Sequence, residues 1–306
     1  MTKVAVLCNN RMAVPALQTL LAENKLCAVG VPADNIEITE LFSVLTTQYS
    51  IPLLILKKES FSEQLHALTA QSDAEFIFAM TFPWKIPSDI LKLYPDKFYN
   101  FHYGLLPEMR GVDPVFESIK NGLQETGITV HAIEEQIDAG AIILKKIFPL
   151  DSSMTHGMLC THLAWLASNI VEELLNKLRV NKKGTLQDIT KARYFKRPEA
   201  ADVSISWHNK DATEIEALVR ACNPWNKGAY TQWNGWNIRV VEATVVVLEK
   251  KITQASGSVV TLDEHNGLII KCNNETFLRL NIIYVDEGFM SGHKLLSFGI
   301  KKGSSF

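Results

Sequence analysis

F-Y-N-F-H-Y-G-L-L-P-E-M-R-G-V-D-P, residues 98–114, is the most informative stretch of the sequence. It begins as a short run rich in aromatic residues, in which Asn100 and His102 stand two positions apart. Side chains two positions apart in an extended strand point to the same face. The carboxamide and the imidazole are therefore predicted to project together, just before a loop favoured by Pro107 and Gly111. Open α/β sheets bind their ligands at such strand ends.

A satisfied polar pair at a sheet edge is the alternative explanation for this Asn-x-His sequence. The residues around the pair are apolar or turn-forming, so two large polar side chains among them need hydrogen-bonding partners or a function. Asp138, in the segment Q-I-D-A-G-A-I (residues 136–142), has a similar ambiguity. An aspartate shortly before a glycine is common in turns, and the same carboxylate would also lie near the sheet.

Before this stretch, short apolar runs alternate with segments in which apolar residues recur at helical spacing. In chain order, the runs and the helical segments between them are residues 3–8, 13–24, 27–31, 38–49, 51–56, 62–69 and 75–80. Such alternation implies right-handed βαβ units and a mostly parallel, doubly wound (Rossmann-like) α/β sheet. The first turn reads C-N-N-R-M-A instead of G-x-G-x-x-G, which argues against a nicotinamide or flavin cofactor.

Two further strands, 127–134 and 141–148, and a long helix, 155–179, complete a predicted catalytic domain of residues 1–183. His131, His156 and His162 within it are interpreted as packed or solvated and receive no role. Residues 184–202 are charged and contain proline, so they are predicted to be a linker.

The C-terminal domain, residues 203–306, is predicted to start with a helical region at Ser206-Trp207. Short strands separated by turns then indicate a small, OB-like β-barrel. Its aromatic residues are compatible with nucleic-acid stacking. Core packing and domain docking are the favoured interpretation, because acidic and basic residues nearly balance there. These aromatic residues are Trp225, Tyr230, Trp233 and Trp236.

Composition narrows the class of protein. The 306 residues carry 31 Lys and Arg against 33 Asp and Glu, so no global field attracts nucleic acid or an anionic membrane. Five scattered cysteines without a C-x-x-C pattern favour reduced thiols over disulfides or a metal site. The N-terminal run is too short for a signal peptide, and no apolar run approaches ~20 residues. We expect a cytoplasmic protein with no metal and no membrane partner, and a homodimer is compatible with these features.

Three motifs together resemble the folate-dependent formyltransferase family. They are N-F-H-Y-G-L-L-P-E-M-R-G (100–111), E-T-G-I-T-V-H (125–131) and I-D-A-G-A-I (137–142). The family pattern is N-x-H-x-S-L-L-P-x-x-R-G with a later D-x-G, so the resemblance assigns the catalytic positions to Asn100, His102 and Asp138. The chain departs from it at Tyr103-Gly104, which affects loop shape more than chemistry. Residues 197–207 and 223–230 extend the resemblance into the C-terminal domain.

The resemblance implies 10-formyltetrahydrofolate as formyl donor and a primary amine as acceptor. Attack of the amine creates an oxyanion, to which Asn100 can donate a hydrogen bond. His102 can donate to the oxyanion or pass on a proton. Asp138 can orient the imidazole or accept the proton of the amine, and the sequence leaves both roles open.

The same resemblance implies where the two substrates bind. The pterin is expected against Phe82, Trp84 and Ile86 on one side and against the loop containing Gln136 and Gly140 on the other. Arg110 and Gly111 are candidates for substrate binding. Arg110 can contact an anionic acceptor or the folate tail, or it can be a solvated arginine.

The acceptor is the part of the function on which the residues say least. Family members that formylate methionyl-tRNA carry a long basic insertion after the second strand, whereas residues 31–37, V-P-A-D-N-I-E, pass directly into a helix. Contacts to phosphates need clustered Lys and Arg. We therefore expect a small amine, with nucleotide-linked amino sugars as the leading class. Methionyl-tRNA is the alternative acceptor, a hydrolase releasing formate is a further alternative, and a non-enzymatic folate-binding protein is disfavoured.

Overall fold

The computed structural model describes residues 2–181, 183–249 and 252–306. The chain forms two compact units, and each is assembled from three segments of sequence. The first consists of Met1–Pro114, Thr126–Pro149 and Cys160–Phe195, and the second of Val115–Glu125, Leu150–Leu159 and Lys196–Phe306. The predicted linear division into 1–183, 184–202 and 203–306 remains a prediction. Met1, Lys182, Lys250 and Lys251, which fall in its segments, lie outside the described residues.

The first unit contains a seven-stranded sheet. Its strands are β1 (Val4–Cys8), β2 (Leu26–Pro32), β3 (Leu53–Leu56), β4 (Phe76–Met80), β5 (Phe98–His102), β7 (Glu125–Ala132) and β8 (Ile142–Pro149). They lie in the order β3-β2-β1-β4-β5-β7-β8. The five strands from β3 to β5 are parallel, and β5 pairs with β7 in antiparallel direction. The predicted mostly parallel, doubly wound sheet is confirmed.

Apolar composition explains the centre of this sheet. Every residue of β1 and of β4 is buried, as expected for parallel strands covered on both faces by helices. The helices of the chain up to residue 180 are α1 (Val14–Ala22), α2 (Ile36–Gln48), α3 (Phe61–Gln71), α4 (Ser88–Leu93), α5 (Pro114–Lys120) and α6 (His156–Val180). Their starts follow local signals: α1 has proline in its first turn, and Asn35 caps α2 by accepting the N–H of Ile38.

A second, very small sheet joins distant parts of the first unit. Strand β6 (Arg110–Gly111) pairs in parallel with β9 (Tyr194–Phe195). Residues up to Phe195, which fall in the predicted linker, are therefore bonded to the loop that follows His102. A two-residue strand contains no periodicity, so the sequence pattern could not indicate this pairing.

The C-terminal segment of the second unit contains one α-helix and an antiparallel sheet among its described residues. The sheet has the order β10-β11-β14-β13-β12, with β15 paired to β14. Its strands are β10 (Ala229–Trp233), β11 (Trp236–Val246), β12 (Val259–Asp263), β13 (Gly267–Lys271), β14 (Phe277–Val285) and β15 (Gly288–Ser291). The fold class predicted for the C-terminal domain, a small OB-like domain of short β-strands, is confirmed, and the structure shows it as an antiparallel sheet; β15 was not anticipated.

The start of the helix in this unit differs from the prediction. The helix α7 spans Ala212–Ala221, so the expectation of a helical region beginning at Ser206-Trp207 was wrong. The side chain of Asp211 accepts the N–H groups of Thr213 and Glu214, and the Glu214 side chain returns to the Asp211 N–H. This capping box fixes the first turn at Ala212. Trp207 is buried in the preceding turn, and its indole N–H donates to the Thr231 hydroxyl at 2.9 Å.

Among the described residues, no helix combines the length and the apolar character that crossing a membrane would require.

Candidate active site

Strand β5 carries two of the three predicted catalytic side chains. Asn100 and His102 lie at its C-terminal end, where β5 runs beside β4, with Met80 opposite Phe101. On the other side, Asn100 lies directly opposite His131 of β7. Asp138 follows β7 in a loop, with a left-handed backbone φ of 53°. The structure therefore brings Asn100, His102 and Asp138 together at one edge of the sheet, where open α/β sheets bind ligands.

His102 is hydrogen-bonded through one ring nitrogen, and the other faces Asp138. Its side chain is only 5 % exposed, and Nε2 lies 2.6 Å from the carbonyl oxygen of Met109. Since a carbonyl only accepts hydrogen bonds, Nε2 carries the proton of the neutral ring. Nδ1 then presents a lone pair at 3.6 Å from Oδ1 of Asp138. Burial lowers the pKa of His102 below its ordinary value, and the Asp138 charge offsets only part of that effect.

Asp138 is a buried carboxylate with several partners. Oδ2 accepts the backbone N–H of Gly111 at 2.9 Å, and Oδ1 faces the rings of His102 and His131. Burial raises the pKa of the carboxyl, but the protonated rings of His131 and His102 and the Gly111 N–H together hold it below the ordinary value. The site thus contains an ionised Asp138 beside a neutral His102 at neutral pH, a pair with room for one additional proton.

His131 is the residue of this cluster that the sequence analysis missed. Its Nδ1 donates to the Ala132 carbonyl oxygen at 2.8 Å, so in the neutral ring Nε2 is an acceptor. Nε2 lies 3.2 Å from Nδ2 of Asn100, which donates to it. This contact fixes the carboxamide of Asn100 and leaves its second N–H for another acceptor. The available signal was strand alternation, which places His131 on one face with Thr129, and both are buried.

Arg110 and Gly111 occupy places that sequence reasoning did not anticipate. Arg110 is 6 % exposed, and its Nε and Nη2 donate to Oε1 of Gln187 at 3.1 and 2.8 Å. The solvated arginine, one of the two alternatives, was therefore wrong. Direct substrate contact by Arg110 and Gly111 stays a prediction. Gly111 adopts φ +126°, and a Cβ added there would stand 2.0 Å from the Phe195 carbonyl oxygen.

The residues expected to bind the pterin form two groups. Phe82, Trp84 and Ile86 follow β4 and pack around Phe61, with ring centroids of Phe61 and Trp84 5.1 Å apart. Phe82 and Trp84 are only half-buried, so rings at this strand end fit a planar heterocycle.

The second group lies in the loop that contains Asp138. Gln136 is exposed, whereas Gly140 packs so closely that a Cβ would stand 1.9 Å from the Ala132 carbonyl oxygen. The loop can therefore offer backbone groups at close range there. The binding roles of all five residues remain predictions.

Comparison with known proteins identifies the class to which this fold and site belong. The family model "Formyl transferase" matches residues 17–175, and "Formyl transferase, C-terminal domain" matches residues 198–296. The methionyl-tRNA formyltransferase of Nitrosomonas eutropha is 30% identical over 263 residues, covering 82% of this chain and 80% of that protein. The protein is thus an enzyme that transfers a formyl group. It belongs to the folate-dependent formyltransferase family, whose formyl donor is a formyl-folate.

Two solved structures have the same fold at low sequence identity. WlaRD, a sugar 3N-formyl transferase, has a TM-score of 0.67 at 20% identity, covering 91% of this chain and 96% of its own. The N-formyltransferase of Helicobacter canadensis, solved with folinic acid and dTDP-3-aminofucose, has a TM-score of 0.65 at 19% identity. It covers 91% of this chain and 98% of its own.

Proposed function

We propose that the enzyme transfers the formyl group of 10-formyltetrahydrofolate to the primary amine of a small molecule, with a nucleotide-linked amino sugar as the leading class. The observation that carries this choice is the connection between β2 and α2. It is only three residues long, because β2 ends at Pro32 and α2 begins at Ile36. It has no room for a basic loop that reaches along a nucleic acid.

The side chains in and around this connection also favour a small acceptor over a nucleic acid. Asn35 caps α2 and also donates to Oδ1 of Asn9 at 2.8 Å, which ties the connection to the turn after β1. Arg11, the basic residue of that turn, is paired with Glu37 on the first turn of α2. Asp34 adds a further acidic residue. Binding a phosphate backbone requires several uncompensated Lys or Arg, which this surface does not present.

The polar cluster at β5 supplies the groups that formyl transfer needs. The amine attacks the formyl carbon, the new C–N bond forms, and negative charge develops on the formyl oxygen. One Nδ2–H of Asn100 donates to His131, and the other Nδ2–H donates to that oxygen. His102 and Asp138 take up the proton that the amine loses, because Nδ1 of the neutral imidazole and the carboxylate can share it. Cleavage of the bond to the folate nitrogen, which is protonated as it leaves, releases tetrahydrofolate and the formamide.

Methionyl-tRNA is the second candidate acceptor. The observation in its favour is the 30% identity to a methionyl-tRNA formyltransferase, which extends over 82% of the chain. The C-terminal domain is matched by its own family model over residues 198–296. In this case the tRNA would have to be bound through basic residues outside the β2–α2 connection.

Turnover of the formyl donor with different acceptors tests the proposal. Production of tetrahydrofolate is measured with dTDP-3-aminofucose, with initiator methionyl-tRNA and with no acceptor, and His102→Ala is the background. We expect turnover with the amino-sugar nucleotide and little with the tRNA. Fast formylation of the tRNA, at a rate that falls by ~10³ or more between dilute and moderate salt, would identify the tRNA as the acceptor instead of the amino sugar. Turnover that is independent of any amine would identify a hydrolase.

A further inference from the structure

A strap, here defined as residues 185–195, bonds to both loops of the candidate active site. Its backbone pairs with Ile142 through Thr185 at one end and with β6 through β9 at the other. Between these ends it is mostly exposed: Leu186 and Ile189 are 85% and 77% exposed. Gln187 is an exception, since its side chain is half-buried and turned towards the first unit's polar cluster.

The amide of Gln187 makes four hydrogen bonds. Its Oε1 accepts from Nε and Nη2 of Arg110, at 3.1 and 2.8 Å. Its Nε2 donates to the backbone carbonyl oxygens of Asp138 and Gly140, both at 2.8 Å. A guanidinium only donates and a carbonyl only accepts, so the partners fix the orientation of the amide. A carboxamide is the side chain that offers an acceptor at one end and two N–H donors at the other.

These partners frame the carboxylate of Asp138 from two sides. Asp138 has a backbone φ of 53°, a conformation that is unfavourable for residues other than glycine. Gln187 donates hydrogen bonds to the backbone carbonyls of Asp138 and Gly140. On the other side, Arg110 precedes Gly111, whose N–H donates to Oδ2 of Asp138. Within the described residues, Arg110 has no ion pair with a carboxylate. Its buried guanidinium instead donates to the side-chain oxygen of Gln187.

We propose that Gln187 is a positioning residue for formyl transfer, which holds the Asp138 loop and the Arg110–Gly111 segment at the separation that aims the Asp138 carboxylate at His102. The proposal rests on the catalytic role of Asp138 in the proposed function. It extends the active site into a segment whose composition is that of a linker. The rival explanation is that Gln187 only contributes to the stability of an exposed strap.

Two substitutions separate the two ends of the amide. Gln187→Met keeps the length and removes all four hydrogen bonds. Gln187→Glu keeps the acceptor for Arg110 but turns an oxygen towards the carbonyls of Asp138 and Gly140, so it breaks only the bonds to the Asp138 loop. Asp188→Ala is the matched control in the strap, because Asp188 caps the turn Ile189–Lys191 and its described side-chain contacts are to Thr190 and Lys191.

We expect both Gln187 variants to lower kcat at least tenfold, with KM for donor and acceptor changed less than threefold and Tm within a few degrees of wild type. The acid side of the pH–kcat profile should move to lower pH, because a carboxylate displaced from His102 no longer raises the pKa of that ring. Asp188→Ala should keep wild-type kcat and pH profile. If Gln187→Met does not fold, Gln187→Glu alone decides between these outcomes.

Three results would overturn the proposal. The first is a kcat within twofold of wild type in either folded Gln187 variant. The second is a loss of kcat that follows Tm while the pH profile stays in place, since that is the signature of a purely structural role. The third is full turnover in Asp138→Ala, which would also remove Asp138 from the proposed mechanism. An inactive Asp138→Ala beside a fully active Gln187→Met would reject Gln187 alone.

Discussion

Nδ1 of His102 and Oδ1 of Asp138 lie 3.6 Å apart, and the two side chains are 5 % and 7 % exposed. The other ring nitrogen of His102 donates to the Met109 carbonyl, so the neutral ring turns a lone pair towards the carboxylate. Such a pair gains its missing hydrogen bond when one proton arrives between the two groups. In the proposed mechanism, amide formation from an amine releases one proton, and we propose that this pair receives it.

Replacement of each polar residue of the cluster by alanine should abolish most turnover. We expect Asn100→Ala, His102→Ala and Asp138→Ala each to lower kcat by at least ~10², which is typical of the loss of an oxyanion donor or a proton acceptor. Steady-state kinetics and circular dichroism check activity and folding. His66→Ala is a matched control, because His66 is exposed and bonds only the Tyr94 hydroxyl among its described contacts. Wild-type turnover in any of the three variants would remove that residue from the mechanism.

The ionisation of His102 should respond to Asp138 in a defined direction. Burial lowers the pKa of His102, so the ring should titrate below the ordinary ~6.5 and activity should persist into mildly acidic solution. The negative charge of Asp138 raises this pKa, and Asp138→Asn should therefore lower it further. NMR titration of the histidine ring carbons measures both values. A rise of the His102 pKa in Asp138→Asn would contradict this electrostatic description.

Removal of the hydrogen-bond acceptor on His131 should impair the positioning of the Asn100 carboxamide. The effect on turnover is therefore expected to be indirect. His131→Phe keeps a ring of similar size but cannot accept the Nδ2–H of Asn100. A hydrogen bond of this kind contributes about 1 kcal/mol, and an unsatisfied partner costs more, so kcat should fall about tenfold or more. His131→Gln, which retains an acceptor, should lose less. Equal losses in the two variants, measured at saturating substrates, would show that ring packing and not the hydrogen bond matters.

Stability gives a separate test of the small sheet formed by β6 and β9. Gly111→Ala should lose more than about 1 kcal/mol of unfolding free energy, because alanine disfavours positive φ and its Cβ would collide with the Phe195 carbonyl. Gly122→Ala is the control: φ is +61°, and nothing lies within 4 Å of the added Cβ. Urea denaturation of both variants separates the conformational cost from the collision. Equal destabilisation would mean that the β6–β9 contact adds nothing.

Periodicity was sufficient to predict the fold of the first 80 residues. The strands and helices up to Met80 were predicted within two residues of their ends, because buried parallel strands and amphipathic helices have distinct patterns. Asn100, His102 and Asp138 were found from their motif. The structure then brought them together, although Asp138 lies in a loop whose path the sequence does not encode locally.

The residues that were missed share a physical reason. Gln187 and β9 lie in an exposed, charged segment. Arg110, the partner of Gln187, is 77 residues away in the sequence, and β6, the two-residue partner strand of β9, is 84 residues away. Local composition cannot distinguish such a segment from a linker. His131 was missed because Thr129 and His131 alternate with apolar residues as on a half-exposed strand, whereas both faces of β7 are buried there.

Because the strap follows both active-site loops in the sequence, it is also the last of these segments to be synthesised. Asp138 is synthesised 49 residues before Gln187, and Arg110 77 residues before it. At about 5–20 residues per second, Gln187 is added some 2–10 s after Asp138. During that interval the nascent chain carries Arg110 and Asp138 without the residue that joins their two loops. A chain released early from the ribosome, before Phe195, would therefore keep the motif and lack the parallel pairing that closes it.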